Sequence, residues 1–160
     1  MQCLDAGRMN WAGYCVGAAQ QLLEAATAHV KERHQFGRPL ADRQGVQWML
    51  ADIAADLHAA RLVCCQAAWR YDREPQHRAS AAAMAKLIAS AMVFRVADST
   101  LQLFGGAGYR KDESKRIWRE LRAIRVLEGT SEIMRHIVAR DLLRNSPRAD
   151  VPNSADEGWR

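Results

Sequence analysis

Apolar residues recur at steps of three and four along most of the chain, the spacing of one face of an α-helix. The first such stretch covers residues 5–34, with Trp11, Tyr14 and Cys15, Ala18, Leu22, and Ala25 and Ala26 on its expected inner face. Phe36-Gly37-Arg38-Pro39 interrupts it, because glycine ends helices and proline turns its predecessor away from helical angles. The second stretch covers residues 42–71. Its stripe of Val46, Leu50, Ile53, Leu57, Ala60, Cys64, Ala67 and Tyr71 steps alternately by four and three. Such a seam suits helices packed at shallow angles in a bundle. Residues 72–78, polar and containing Pro75, form a connection. A third helix is predicted over 79–104, with Met84, Leu87, Ile88, Ala91, Phe94 and Leu101 facing inward, and Gly105-Gly106-Ala107-Gly108 ends it. The charged residues 110–119 have room for one short helix. A last helix runs from Thr130 or Ser131 to 144, with either hydroxyl as its cap and Glu132 in its first turn. The pattern predicts one all-α domain, a four-helix up-down bundle over residues 1–145, followed by a disordered Pro-, Asp- and Ser-rich tail over 146–160.

Composition narrows the function classes. Ala dominates the apolar residues and Pro occurs four times, a balance that favours helix over sheet. No uncharged run reaches the roughly 18 residues of a membrane span, and the first eight residues carry Asp5 and Arg8 in place of a signal peptide. A cytoplasmic protein is expected. Cys3, Cys15, Cys64 and Cys65 contain no Cys-x-x-Cys and read as reduced thiols serving as small core residues. The net charge of +5 is spread among acids rather than gathered in a basic block with aromatics, so no nucleic-acid partner is expected. A di-iron bundle needs paired Glu-x-x-His motifs; Glu132 and His136 stand four apart and unpaired, and no metal site is expected.

A helical bundle hosts many activities, so the chemistry is sought in the interruptions. Arg33-His34-Gln35-Phe36-Gly37 closes the first helix, Gln102-Leu103-Phe104-Gly105-Gly106-Ala107-Gly108-Tyr109 closes the third, and Glu128-Gly129-Thr130-Ser131-Glu132-Ile133 opens the fourth. Each alone has a plain structural explanation: a cation at a helix C-terminus, glycines that end a helix, an acid at a helix N-terminus. Their order, with Leu4-Asp5-Ala6-Gly7-Arg8 in front, resembles the C-terminal domain of the acyl-CoA dehydrogenase family from about Leu4 to Leu143.

The resemblance implies an FAD-dependent enzyme that converts an acyl-CoA thioester to a trans-2-enoyl-CoA. Glu128 matches the carboxylate that removes the α-proton while the β-hydride passes to flavin. Its backbone N–H and a flavin ribityl hydroxyl would polarise the thioester carbonyl as charge develops there. Asp5, Arg8, Gly129 and Arg140 fall on the acyl-CoA side. Arg33, His34 and Gln35 resemble the segment that reaches the FAD pyrophosphate of a neighbouring subunit, a task suited to a forked guanidinium. Gln102, Leu103, Phe104, Gly105 and Gly106 match the strip along that neighbour's adenosine half. Thr130, Ser131 and Glu132 match contacts to the subunit's own FAD at a helix N-terminus, and Arg43 and Gln44 match another flavin-contacting spot. Some branches carry the base in the first helix, one residue before the Arg; that position is Gly7 here, which leaves Glu128 as the base.

Partners implied are an acyl-CoA, an electron-transfer flavoprotein or similar acceptor, and further copies of the chain in a dimer or tetramer. Three departures bear on substrate choice: Leu127 stands where Tyr is frequent, the 111–119 run lacks a frequent Pro, and Arg119-Glu120 replaces Arg-Asp. Family members carry an N-terminal helical domain and a middle β-domain before the equivalent of Leu4, and neither is in this sequence. It is expected to be an excised piece, a shortened reading frame or one part of a split enzyme, inactive alone, with half of the flavin site elsewhere. The alternative reading is a non-catalytic bundle that only oligomerises; within the flavoenzyme class, the alternative is an acyl-CoA oxidase.

Overall fold

The computed structural model describes residues 2–109 and 113–145, so the predicted tail lies outside the described residues. Five helices carry the fold: α1 (Gln2–Glu32), α2 (Gln44–Arg73), α3 (Arg78–Phe104), α4 (Glu113–Ala123) and α5 (Ser131–Asn145). A two-residue hairpin, β1 (His34–Gln35) with β2 (Arg38–Pro39), joins α1 to α2. Phe36 and Gly37 both have positive φ, 51° and 78°, the combination that lets a two-residue turn match strand twist. The sequence pattern marked this segment only as a break, because two residues per strand are too few to show alternation.

The helices run up, down, up, down. The short connections at either end of α2 set it antiparallel to both neighbours, and the Arg61–Gln20 and Arg95–Asp56 bonds tie the helices near mid-length. The His29 ring stacks on Phe104 at 4.3 Å, so α1 and α3 run in the same direction. The return is made in two pieces. Trp118 of α4 packs on Phe94, and farther down Met134 of α5 packs with Ala83 and Asp141 meets His77 at 3.0 Å. The fourth helix of the predicted bundle is therefore α4 and α5 in succession, broken at residues 124–130. That break carries the catalytic candidate.

The core confirms the α2 stripe: Ile53, Leu57, Ala60 and Ala67 are buried and Val46, Leu50, Cys64 and Tyr71 half-buried. On α1 the predicted face is rotated. Ala12, Cys15, Ala19, Ala26 and Val30 are buried, whereas Tyr14 and Ala25 are exposed. On α3 a single inner face was the wrong expectation. The helix contacts α1, α2, α4 and α5, so Ala81, Ala82, Ala83, Ala85, Ala89, Met92, Val93 and Val96 are all buried while Met84 lies at the surface. A central helix is apolar around most of its circumference and has no single stripe to read. Alanines let four neighbours approach closely; each larger buried side chain such as Met92 or Val93 contributes roughly 1.5–3 kcal/mol.

Pro75–Ala107 is long and apolar enough to cross a membrane by length and composition, and most of its apolar window is buried inside the bundle. The cysteines divide. Cys15 is buried, which pushes its thiol up to about 12, and burial followed by Cys65 raises half-buried Cys64 to about 11. Cys3 and Cys65 are exposed, so only two of the four serve the core as expected.

Candidate active site

The turn between α4 and α5 is held from the inside by buried cations. Leu127, Glu128 and Gly129 present three successive carbonyls to them. Lys86 Nζ donates to Leu127 O and Gly129 O, both at 2.5 Å, and Arg8 Nε donates to Glu128 O at 3.4 Å. Lys86 is 1% exposed, and Arg8 and Asp5 are 6% exposed each. Arg8 is fixed in turn by a 2.8 Å ion pair with Asp5, one helical turn away on α1. Burial and then the Arg8 charge push the Lys86 pKa below the usual lysine range, with Glu128 and Cys15 pulling it back.

These bonds hold an unfavourable backbone. Glu128 has φ of +50° and Gly129 has φ of +101°. A non-glycine residue in that region costs roughly 1–2 kcal/mol, so the Glu128 conformation requires the surrounding contacts to impose it. The consequence is where the side chain goes. A Cβ built on Gly7 would overlap Glu128 Oε2 and lie 3.0 Å from its Cδ. The Glu128 carboxylate thus occupies the volume above the bare face of α1 at Gly7, one residue from Arg8.

α5 begins directly beside it. Thr130 caps the helix, its Oγ1 accepting the Ile133 N–H at 3.4 Å, and Ser131 is buried. Exposed Glu132 is held below the usual carboxylate range by hydrogen bonds from its own backbone N–H and the Thr130 hydroxyl. An apolar groove of about 510 Å³ opens beside Leu127, lined also by Trp11, Tyr14 and Ile124 among others. Asp5, Arg8, Glu128, Gly129, Thr130, Ser131 and Glu132 therefore converge at the lower end of the bundle. Arg140 does not join them: it is exposed on α5, roughly 14 Å along the axis from Ser131.

The second group of predicted residues gathers at the other end. Arg33, Gln35 and the strip Gln102 to Gly106 line one cleft of about 580 Å³, walled also by His29, Leu40, Val46 and Met49. Gly105, with φ of +57° and ψ of −134°, ends α3, and its N–H donates to Leu101 O and Gln102 O. Arg43 donates to Gln35 O at 2.8 Å and lies over the Phe36 ring. Exposed His34 takes Glu32 O as its ring partner at 2.9 Å, and Gln44 is exposed at the start of α2; neither lines the cleft. Between Arg8 and His29 the axis of α1 spans roughly 30 Å, so the two groups of residues form separate sites.

Sequence reasoning missed Lys86 and His29. Lys86 did leave a signal, as the only charged residue between Arg78 and Arg95. A lone cation in an alanine-rich helix is costly to bury without partners.

Residues 1–143 match the family described as acyl-CoA dehydrogenase, C-terminal domain. The chain is 44% identical over 146 residues to the mitochondrial isobutyryl-CoA dehydrogenase of Dictyostelium discoideum, covering 91% of this chain and 35% of the relative. It is similar to the structure of butyryl-CoA dehydrogenase from Megasphaera elsdenii, with 34% identity and a TM-score of 0.84 over 90% of this chain and 38% of that one. A structure of PigA with FAD and proline superposes with a TM-score of 0.81 at 28% identity, over 87% of this chain and 36% of that one. The chain thus spans little more than a third of the length of the proteins it matches. With a broken fourth helix, a carboxylate seated over Gly7 and a family match along nearly its whole length, the chain belongs to the acyl-CoA dehydrogenase family, as its C-terminal helical domain.

Proposed function

We propose that this domain supplies the α-proton base, Glu128, of an FAD-dependent acyl-CoA dehydrogenase that forms trans-2-enoyl-CoA. The observation that carries the reading is the position of the Glu128 carboxylate over Gly7, with the neighbouring Leu127 lining the apolar groove. An acyl chain lying in that groove would bring its thioester end to Glu128. The carboxylate takes the α-proton as the α C–H bond breaks, and the freed pair forms the new double bond while the β-hydrogen leaves as hydride. FAD, when bound, supplies the acceptor for that hydride. The peptide N–H of Glu128 donates to the thioester oxygen as negative charge builds on it.

The upper cleft fits the phosphate-bearing half of such a cofactor. The Arg33 guanidinium and the Gln35 and Gln102 amides form a donor set for phosphate and ribose oxygens. The stacked His29 and Phe104 rings give it a flat wall, and the space a Cβ would enter at Gly105 and Gly106 is open. Because that cleft stands roughly 30 Å from Glu128 along α1, we assign it to the FAD of a second copy of the chain. An exposed apolar row on α2, Trp48, Leu62 and Trp69 at heptad spacing, favours a homo-oligomer, dimer or tetramer. Electrons would leave to an electron-transfer flavoprotein or similar acceptor.

The test is turnover of butyryl-, isobutyryl- and octanoyl-CoA by the flavin-loaded enzyme with a ferrocenium acceptor. Glu128→Gln should lower kcat by about 10⁴-fold, the upper range for loss of a general base. Retained activity in that variant would remove Glu128 from the chemistry. The same exposed row also favours the second reading, a bundle that only oligomerises. That reading expects a sedimentation shift to dimer or tetramer from a chain that binds no flavin in any assembly.

A further inference from the structure

Lys86 is a buried charge with no part in the proposed proton transfer, although it bonds the carbonyls of both residues that flank Glu128. Leu127 C=O and Glu128 N–H belong to one trans peptide plane and point in opposite directions. An ammonium donating to Leu127 O therefore directs the Glu128 N–H away from the core, and it polarises the same peptide so that this N–H becomes a stronger donor. The second bond, to Gly129 O, holds the residue that follows, while Arg8 takes the Glu128 carbonyl itself. Among the described residues no backbone carbonyl accepts the Glu128 N–H, which leaves that donor available.

We infer that Lys86 is a positioning residue of the active site, which aims the Glu128 carboxylate and strengthens the Glu128 N–H as donor to the substrate's thioester oxygen through two charge-assisted bonds to the flanking carbonyls. The inference rests on the reading of Glu128 as the base. A purely structural lysine would need partners but not these two. Both bonds fall on the left-handed turn, and the third carbonyl of that turn is taken by Arg8. The two cations lie close enough to repel, and among the described contacts only the Asp5 carboxylate is paired directly with one of them. The remaining donor, Lys86, is satisfied by peptide oxygens alone among the described contacts.

The closing experiment has a spectroscopic arm and a kinetic arm. In the labelled 160-residue chain, hydrogen-bond couplings should connect Lys86 Nζ to the Leu127 and Gly129 carbonyl carbons. In Lys86→Met the Glu128 amide proton should move upfield and exchange about tenfold more slowly, because a free N–H that loses a charged partner on its own peptide carbonyl becomes less acidic. In the flavin-loaded enzyme Lys86→Met should lower kcat by about tenfold with KM changed by less than about threefold, less than deletion of an oxyanion donor itself. Lys86→Arg should recover part of kcat. Absent couplings in the wild-type chain overturn the inference even if the variant does not fold. An unchanged Glu128 amide and unchanged kcat in a folded Lys86→Met overturn it as well. Should Glu128→Gln remain active while the couplings are present, the base assignment fails and the Lys86 contacts stand as architecture only.

Discussion

The two ends of the bundle are built on opposite principles. At the lower end Asp5, Arg8 and Lys86 are buried together and hold Glu128 in a backbone conformation that it would not adopt alone. At the upper end the cleft around Arg33 and Gln102 is open, its charged group exposed and part of its wall made by the exposed Gly105 and Gly106. One end stores strain and fixes a side chain; the other leaves space and donors for a ligand to organise. Chemistry demands fixed geometry within fractions of an ångström, whereas recognition of phosphates and a base tolerates a looser frame. The difference predicts that substitutions at Gly7 and Glu128, outside the buried charges, should damage turnover with little loss of stability, and that substitutions above should damage affinity or folding.

The sharpest break of that contrast is Gly7→Ala. Its methyl would enter the volume of the Glu128 carboxylate, the movable end of a side chain. The carboxylate must turn away, and kcat should fall by about 100-fold, as for a displaced catalytic group. Replacing a helical glycine also removes about 1 kcal/mol of helix penalty, so the same variant should melt higher. A variant that melted lower and kept full kcat would show that the carboxylate is not seated there. At the upper end Gly105→Ala forces a side chain into a backbone region used almost only by glycine. It should destabilise the chain by about 2 kcal/mol in urea titration, with Glu128-dependent turnover retained at low temperature. Arg33→Ala is the milder probe of that end, expected to weaken flavin retention by about tenfold in equilibrium dialysis with an unchanged melting temperature.

Asp141 tests a contact that belongs to neither end's chemistry. Burial would raise its pKa, but hydrogen bonds from His77, Ser80 and Asn145 outweigh it and hold the carboxyl below its ordinary 3.8. A depressed carboxylate contributes stability above its unfolded pKa and loses it as pH falls through the folded value. Asp141→Asn should therefore lower stability by about 1 kcal/mol at pH 6, a partly buried pair being worth little more. The gap between variant and wild type should close in melts taken at progressively lower pH, below about 4.

What could be read in the sequence differs with the kind of order involved. The α2 seam was legible because that helix has one buried side and a regular step. The α3 face was not, since four neighbours surround it and alanine is compatible with every side. The α1 face was read one position off, because its alanines occur on both sides of the true line through Ala12, Cys15 and Ala19. At the sites, linear motifs survived best. Arg33, Gln35 and the Gln102–Gly106 strip meet in one cleft, and Glu128 meets Gly7 and Arg8 across more than a hundred residues. Lys86 was overlooked because its meaning lies in backbone carbonyls on another helix junction, and a carbonyl has no letter in a sequence. The exposed position of Arg140, far along α5, removes the geometric support for grouping it with Glu128.

The seating of Glu128 over Gly7 also bears on ancestry. Two positions, distant in the chain, address a single volume, and that volume has room for one carboxylate. A lineage could move its base from one position to the other only by shrinking the first residue before or as the second grows, since both acids together would collide and repel. With Glu128 as the proposed base, intermediates with neither acid would be inactive but folded, because Glu128 is exposed and Gly7 lies on a helix surface. The double variant Gly7→Glu with Glu128→Gly is the direct expression of that exchange, a reversal of which helix carries the acid with the rest of the pocket left in place.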